Sequence, residues 1–345
     1  MKKMLLAAGL AALVSACGSG GGGSNAASSE IKIVGSSTVY PFTTAIAEQF
    51  ERTNEGVSTI VESTGTGSGM KLFCEGLGSQ YPDVVNASRR MKASEFEACQ
   101  AAGVTDIVEL AIGIDGLTLI QGADEAPLEL TAAQIYEALA ANPYGREQTA
   151  KSWKDIDASL PDRPILVYGP PPTSGTRDSF AELILEAGCK SDPAMEELKS
   201  SNEDEYKNTC TKIREDGAYV EAGENDNLLV QKVSQEAGAL GVLGYSFYEE
   251  NTDKVAAVTL DGVMPDSDSI SSLDYLGARI LYIYVKGQHV AAKPALRDFI
   301  NAYRDGWQPG GLLAGAGLVP LDPDSRREAD GRAEAMTVLT ADQLK

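Results

Sequence analysis

The 345-residue chain contains one histidine, His289. A single imidazole removes the usual His-based metal centres and makes any Ser-His-Asp triad depend on that residue. Basic residues are also scarce: 29 Lys+Arg stand against 50 Asp+Glu, a formal net charge of −21. That balance argues against a nucleic-acid binder, whose target phosphates need a net basic face. The sequence has no CxxC pair, no GxSxG nucleophile elbow and no GxxxxGK[ST] phosphate loop. Beyond the N-terminus no apolar run approaches the length of a membrane-spanning helix. What is present suffices for packed cores. A hydrophobic content of 43% excludes wholesale disorder, and the length suits two domains.

The N-terminus reads as an address. Met1-Lys2-Lys3 is a basic start, and Met4 to Ala16 is an apolar run of 13 residues, short for a bilayer span and fitting a signal peptide over residues 1–16. Val14-Ser15-Ala16-Cys17 resembles a bacterial lipobox, which implies cleavage before Cys17 and lipid on its sulfur; ordinary cleavage near Ala16 is the alternative. Residues 17–30 are rich in Gly and Ser and read as a flexible tether. Cleavage removes two lysines and no acid, so 27 basic residues face 50 acidic ones and the mature charge is −23.

The remaining cysteines are Cys74, Cys99, Cys189 and Cys210. An even count in an exported chain suggests two disulfides, and three pairings are open. Cys74–Cys99 and Cys189–Cys210 are favoured because each closes a short loop, worth roughly 3 kcal/mol in the chain-entropy model. A metal site competes weakly, with no histidine nearby.

Short β-branched runs alternate with helical stretches. Strands are expected at 31–34, 57–62, 83–87, 107–112, 117–120, 165–168, 240–243 and 280–285, with helices at 44–52 and 70–76 among those between. This alternation predicts an α/β fold with largely parallel sheets. After about residue 320 the chain turns polar and reads as a tail.

Three places repeat one design, a strand followed by a Gly/Ser/Thr turn and a helix. They are Gly35-Ser36-Ser37-Thr38-Val39-Tyr40-Pro41, Ser63-Thr64-Gly65-Thr66-Gly67-Ser68-Gly69, and Thr173-Ser174-Gly175-Thr176-Arg177. Pro41 suits a first helical turn, and Ser37 or Thr38 suits an N-cap. After the third turn, Phe180, Leu183, Ile184 and Ala187 follow helical spacing and Gly188 reads as a C-cap. A helix start offers backbone N–H groups and the positive end of a dipole, hydroxyls add neutral donors, and glycine admits close approach. One such turn is ordinary capping. Three in one chain point to an oxyanion site.

With Asn86-Ala87-Ser88-Arg89 between the second and third turns, these motifs occur in an order that resembles the phosphate-binding proteins of bacterial high-affinity phosphate ABC transporters, over about residues 31–320. The resemblance implies a type II periplasmic-binding-protein fold with two lobes and the ligand in the cleft between them. It implies a phosphate site built from Ser37, Thr38 and the Thr38 and Val39 amides; Thr66 and Ser68; Ser88 and Arg89; and Ser174, the Gly175 amide and Thr176. It also implies a partner permease in the membrane, and an extracytoplasmic, lipid-anchored protein acting as a monomer without cofactor, metal or catalysis. The expected division is 31–112 for lobe one, 113–257 for lobe two and 258–345 for the return, with crossings near Ile112–Asp115 and Gly244–Tyr248.

Two positions depart from the family pattern. Arg89 stands where many members carry the aspartate that accepts the phosphate proton. Pro170-Pro171-Pro172 stands where many carry an arginine, which puts the expected guanidinium after the turn, at Arg177. The proton acceptor is then sought at Asp115 or in Glu224-Asn225-Asp226-Asn227, where Asn227 could donate instead; that cluster could also simply cap the helix that follows. Competing readings are a binder of sulfate, molybdate or another oxyanion, and a phosphatase-like hydrolase using His289. Surface acidity does not forbid anion binding, because charge is screened beyond about 8–10 Å. Its cost falls on the association rate.

Overall fold

The computed structural model describes residues 30–223 and 225–344. The signal peptide, Cys17, the tether up to residue 29 and Glu224 lie outside the described residues. Among the described residues there are eleven strands: β1 (Glu30–Gly35), β2 (Ser58–Ser63), β3 (Val84–Ala87), β4 (Ile107–Gly122), β5 (Glu129–Leu130), β6 (Val167–Gly169), β7 (Tyr219–Glu221), β8 (Leu240–Gly244), β9 (Val255–Ala257), β10 (Thr259–Leu260) and β11 (Ala278–Lys286). Nine form one continuous sheet in the order β2-β1-β3-β11-β4-β8-β6-β7, with β9 also on β4; β10 and β5 pair separately.

β4 joins the two halves. Its sequence, IVELAIGIDGLTLIQG, is almost wholly buried, as expected of a strand covered on both faces. The polar Gly113 to Gly116 stretch suggests a break between two strands, but pairing carries the strand through it. Residues 107–116 pair antiparallel with β11, and 117–120 pair antiparallel with β8. The flanks match the parallel expectation, with β1 parallel to β2 and β3 and β6 parallel to β7 and β8, whereas the centre is antiparallel.

The chain returns to the first half at Ala278, where β11 begins; Leu117 N donates to Gly277 O at 2.8 Å beside this point. The stretch Gly244–Tyr248, expected to cross, does not. It forms the helix Tyr245–Glu249, which turns the chain so that β9 pairs with Ile120 to Gly122 of β4. The polar C-terminal stretch folds back as the helix Pro323–Ala335. Arg332 Nε donates to Glu109 O at 3.1 Å, and Leu339 N donates to Ile107 O at 2.7 Å.

The disulfides are Cys74–Cys99 and Cys189–Cys210. The first joins the helix Thr66–Cys74 to the helix Ala93–Ala101, and the second joins the helical run 175–189 to the helix Glu203–Thr211. Gly188 does not cap its helix. It is buried inside the 175–189 run, against the Ala132 carbonyl and the Tyr136 side chain, where no Cβ fits. Among the described residues no helix is long and apolar enough to cross a membrane.

Candidate functional site

The first and third glycine turns meet face to face. Gly175 lies so close to the first turn that a Cβ there would sit 2.6 Å from both Ser37 O and Thr38 Cα. Thr38 Oγ1 donates to Gly175 O at 3.2 Å, and the Ser37 hydroxyl donates to the Asp178 carboxylate. The second turn joins at Gly35, whose carbonyl accepts from Thr64 N and Gly65 N, each at 2.8 Å. Gly35 has φ 127° and abuts the Asn86 backbone, so an L side chain fits neither the torsion nor the space.

These contacts leave a cavity of 320 Å³ lined by Ser37, Thr38, Asp115, Ser174, Gly175 and Thr176, with Thr173, Tyr40, Pro41, Phe42 and Ala316 closing its walls. Ser174 is the N-cap of its helix; its hydroxyl accepts from Thr176 N at 3.2 Å. Val39, not Ser37 or Thr38, caps the helix Tyr40–Thr53, with Pro41 in its first turn. The two hydroxyls are committed across the cleft instead, so they do not turn back onto their own helix.

The cation at this junction is Arg279, which was not among the residues singled out from the sequence. Its side chain is 11% exposed. Nη2 donates to Thr38 Oγ1 at 3.0 Å and to Ser179 Oγ at 2.7 Å. Nε lies 3.4 Å from Asp115 Oδ2, and Nη1 donates to Glu182 Oε2 at 2.5 Å. Ser179 Oγ donates in turn to Asp115 Oδ2 at 2.8 Å. Burial pushes the Asp178 carboxyl above its ordinary range, opposed by its Ser37 hydrogen bond and reinforced by the charge of Glu182. The one sequence sign of Arg279 is a charged residue at the head of the otherwise apolar strand ILYIYV.

The other expected residues are distributed unevenly. Thr66 begins its helix and Ser88 directly follows β3; their hydroxyls are 3.0 Å apart, and Ser88 N donates to Thr66 Oγ1 at 3.1 Å. Ser68 is exposed. Arg89 forms a two-pronged pair with Glu95, at 2.9 and 2.7 Å, and does not line the cavity. Arg177 likewise stays off the cavity wall: it donates to Pro170 O at 3.2 Å and stacks 4.3 Å above the Tyr219 ring. Asn227 is exposed in the first turn of the helix Asp226–Gln235, which Asn225 caps. His289 lies at the other end of β3 from Ser88. Its Nδ1 is 2.7 Å from Asp83 Oδ1 and its Nε2 accepts from Gly78 N at 3.0 Å, so it cannot serve Ser174 as a base. Among the described residues no group of three or more His, Cys, Asp or Glu side chains could hold a metal ion.

A PBP superfamily domain model matches residues 21–302. Protein SphX of Synechococcus elongatus is 34% identical over 296 residues, covering 83% of this chain and 76% of that protein. The phosphate-binding protein PstS of Staphylococcus saprophyticus is 29% identical over 345 residues, covering 97% and 95%. A crystal structure of a possible phosphate binding protein from Planctomyces limnophilus superposes with a TM-score of 0.71 at 28% identity, covering 89% of this chain and 98% of that one. Their shared architecture is the two-lobed α/β fold built here on β4 and β11. The chain belongs to the PBP superfamily and to the family of protein SphX.

Proposed function

We propose that the chain is an extracytoplasmic lipoprotein that captures inorganic phosphate between its lobes and hands it to the permease of an ABC transporter. The observation that carries this reading is the meeting of the 37–38 and 174–176 turns around one cavity, with Arg279 bonded from behind to Thr38 on its wall. Hydroxyls and helix-start amides are neutral donors that can surround an oxyanion stripped of water, and one buried guanidinium adds a charge-assisted bond. Ser37, Thr38, Val39 through its amide, Ser174, Gly175, Thr176 and Arg279 form the proposed first ring. Thr66, Ser88 and Ser68 lie off the cavity wall and would join the site only if the second turn moved toward it. Arg89, Arg177 and Asn227 would reach the ion only by leaving their present partners or surroundings.

Asp115 is the proposed proton acceptor. Hydrogen phosphate offers a proton and sulfate at neutral pH does not, so a carboxylate facing the cavity favours the former. The proposed lobe boundaries are the positions where pairing changes partner, between Gly116 and Leu117 and between Gly277 and Ala278, and these two crossings would serve as the hinge. The relatives' names as phosphate-binding proteins support the choice of ligand. Anchoring at Cys17 and a monomeric state complete the reading.

Isothermal titration of the mature protein with phosphate, arsenate, sulfate and molybdate tests it. Phosphate is expected to bind with sulfate roughly 10–100-fold weaker, the factor an unpaired buried acceptor imposes. Tighter sulfate or molybdate binding would reassign the oxyanion, and no heat with any of the four would remove the binding function. The mass of the mature N-terminus reports lipid on Cys17.

A further inference from the structure

The anion site carries more carboxylate than a site for an anion should. Asp115 and Glu182 are bonded to Arg279, and Asp178, held by Ser37, feels the charges of both Arg279 and Arg177. The three are held differently. Asp115 sits on β4 directly opposite Arg279 in the strand register and also accepts from Ser179, so the sheet fixes it. Asp178 is half-buried and bound to the Ser37 hydroxyl. Glu182 is 49% exposed at its side chain, and its ion pair is the 2.5 Å contact to Arg279 Nη1. It lies in a π-helical turn, Ala181–Leu185, that interrupts the helical run 175–189; such insertions are frequent at functional sites.

Four of the five guanidinium N–H bonds are engaged: Nε faces Asp115, Nη2 is divided between Thr38 and Ser179, and Nη1 gives one to Glu182. A phosphate can take a two-pronged pair of bonds from Arg279 only by displacing one of these groups. Glu182 is the one that a rotamer change carries into solvent, because its side chain is 49% exposed while the other groups are held by the sheet or the helix.

We propose that Glu182 is a displaceable counter-ion that occupies Arg279 and is exchanged for the incoming phosphate. This rests on the reading of Arg279 as a phosphate ligand. Glu182 then acts as a built-in competitor. It weakens phosphate binding below what the donor set alone would give and holds the guanidinium in place for the exchange. It is a positioning and affinity-setting residue, not a proton acceptor.

The test is titration of the full mature chain, its Glu182→Gln variant and its Glu182→Ala variant with inorganic phosphate at low and high salt, alongside melting temperatures. Both variants should bind about tenfold more tightly at low salt, with the gain shrinking at high salt and the melting temperature little changed. Binding within twofold of wild type, or weaker binding in folded variants, overturns the exchange; weaker binding would mean that Glu182 simply orients Arg279. Wild type that binds no phosphate removes the underlying reading and the exchange with it. Wild type that binds while both variants match it removes the exchange alone.

Discussion

Arg279 on β11 and Asp115 on β4 are register partners across antiparallel strands, with Nε 3.4 Å from Oδ2. The pair sits where β4 changes partner from β11 to β8, so the sheet itself, rather than a loop, aims a guanidinium at Thr38 on the first turn and Ser179 on the helix Gly175–Phe180.

Replacing Arg279 by Gln should reduce phosphate affinity about 100-fold or more, as expected for loss of one member of a buried charge pair. Arg279→Lys should fall between this variant and wild type, because an ammonium keeps the charge but cannot span four partners in one plane. Calorimetric titration of the three proteins checks this; unchanged affinity in Arg279→Gln takes the residue out of the site.

Gly175→Ala should weaken phosphate binding more than it lowers stability. The added Cβ meets Ser37 O and Thr38 Cα at 2.6 Å, and both are backbone atoms that cannot rotate away. The first turn must shift, and a site misplaced by about 1 Å loses much of its bonding. Ala is otherwise well tolerated in the first turn of a helix. Titration beside thermal melting separates the two effects.

Reduction of the disulfides should cost affinity as well as stability. The helix Thr66–Cys74 begins in the second glycine turn and ends at a bridged cysteine, and the run 175–189 begins in the third and ends at Cys189. Each bridge therefore pins the far end of a helix that starts in a glycine turn. A loss of roughly 2–4 kcal/mol per bridge is expected, read as a lower melting temperature in reductant, with weaker phosphate binding below the new midpoint. Four titratable thiols in the oxidised protein would contradict the bridges.

Lys286 should make stability rise with pH. It is fully buried between the Phe73 and Tyr81 rings, and burial lowers its pKa to about 8 from 10.5. Between those values the unfolded chain holds a proton that the folded chain has released, so this residue's contribution to stability increases with pH from about 8 toward 10.5. A melting temperature higher at pH 9 than at pH 7.5, with the difference lost in Lys286→Met, is the expected pattern. A wild-type curve that falls over this range would exclude it.

Local chemistry was readable from residue order. Pro41 lies in a first turn, and the short cysteine spacings become the bridges. Each depends on neighbours a few residues apart or on a short loop, where steric preference and loop entropy act without help from the rest of the chain. The errors have a common cause. The Gly113 to Gly116 stretch looked like a break but is carried through by two partner strands, and Gly188 looked like a helix stop but is a contact with Ala132.

Residue order alone already shows strands alternating with helices, three of them opened by hydroxyl-rich glycine turns. Which cation stands beside those turns depends on the packing of distant segments. Arg279 is 241 residues from Thr38, 164 from Asp115 and 100 from Ser179. No local periodicity encodes such separations. They are closed by the antiparallel pairing of β11 with β4, which buries an apolar strand and brings its one leading charge into the cleft.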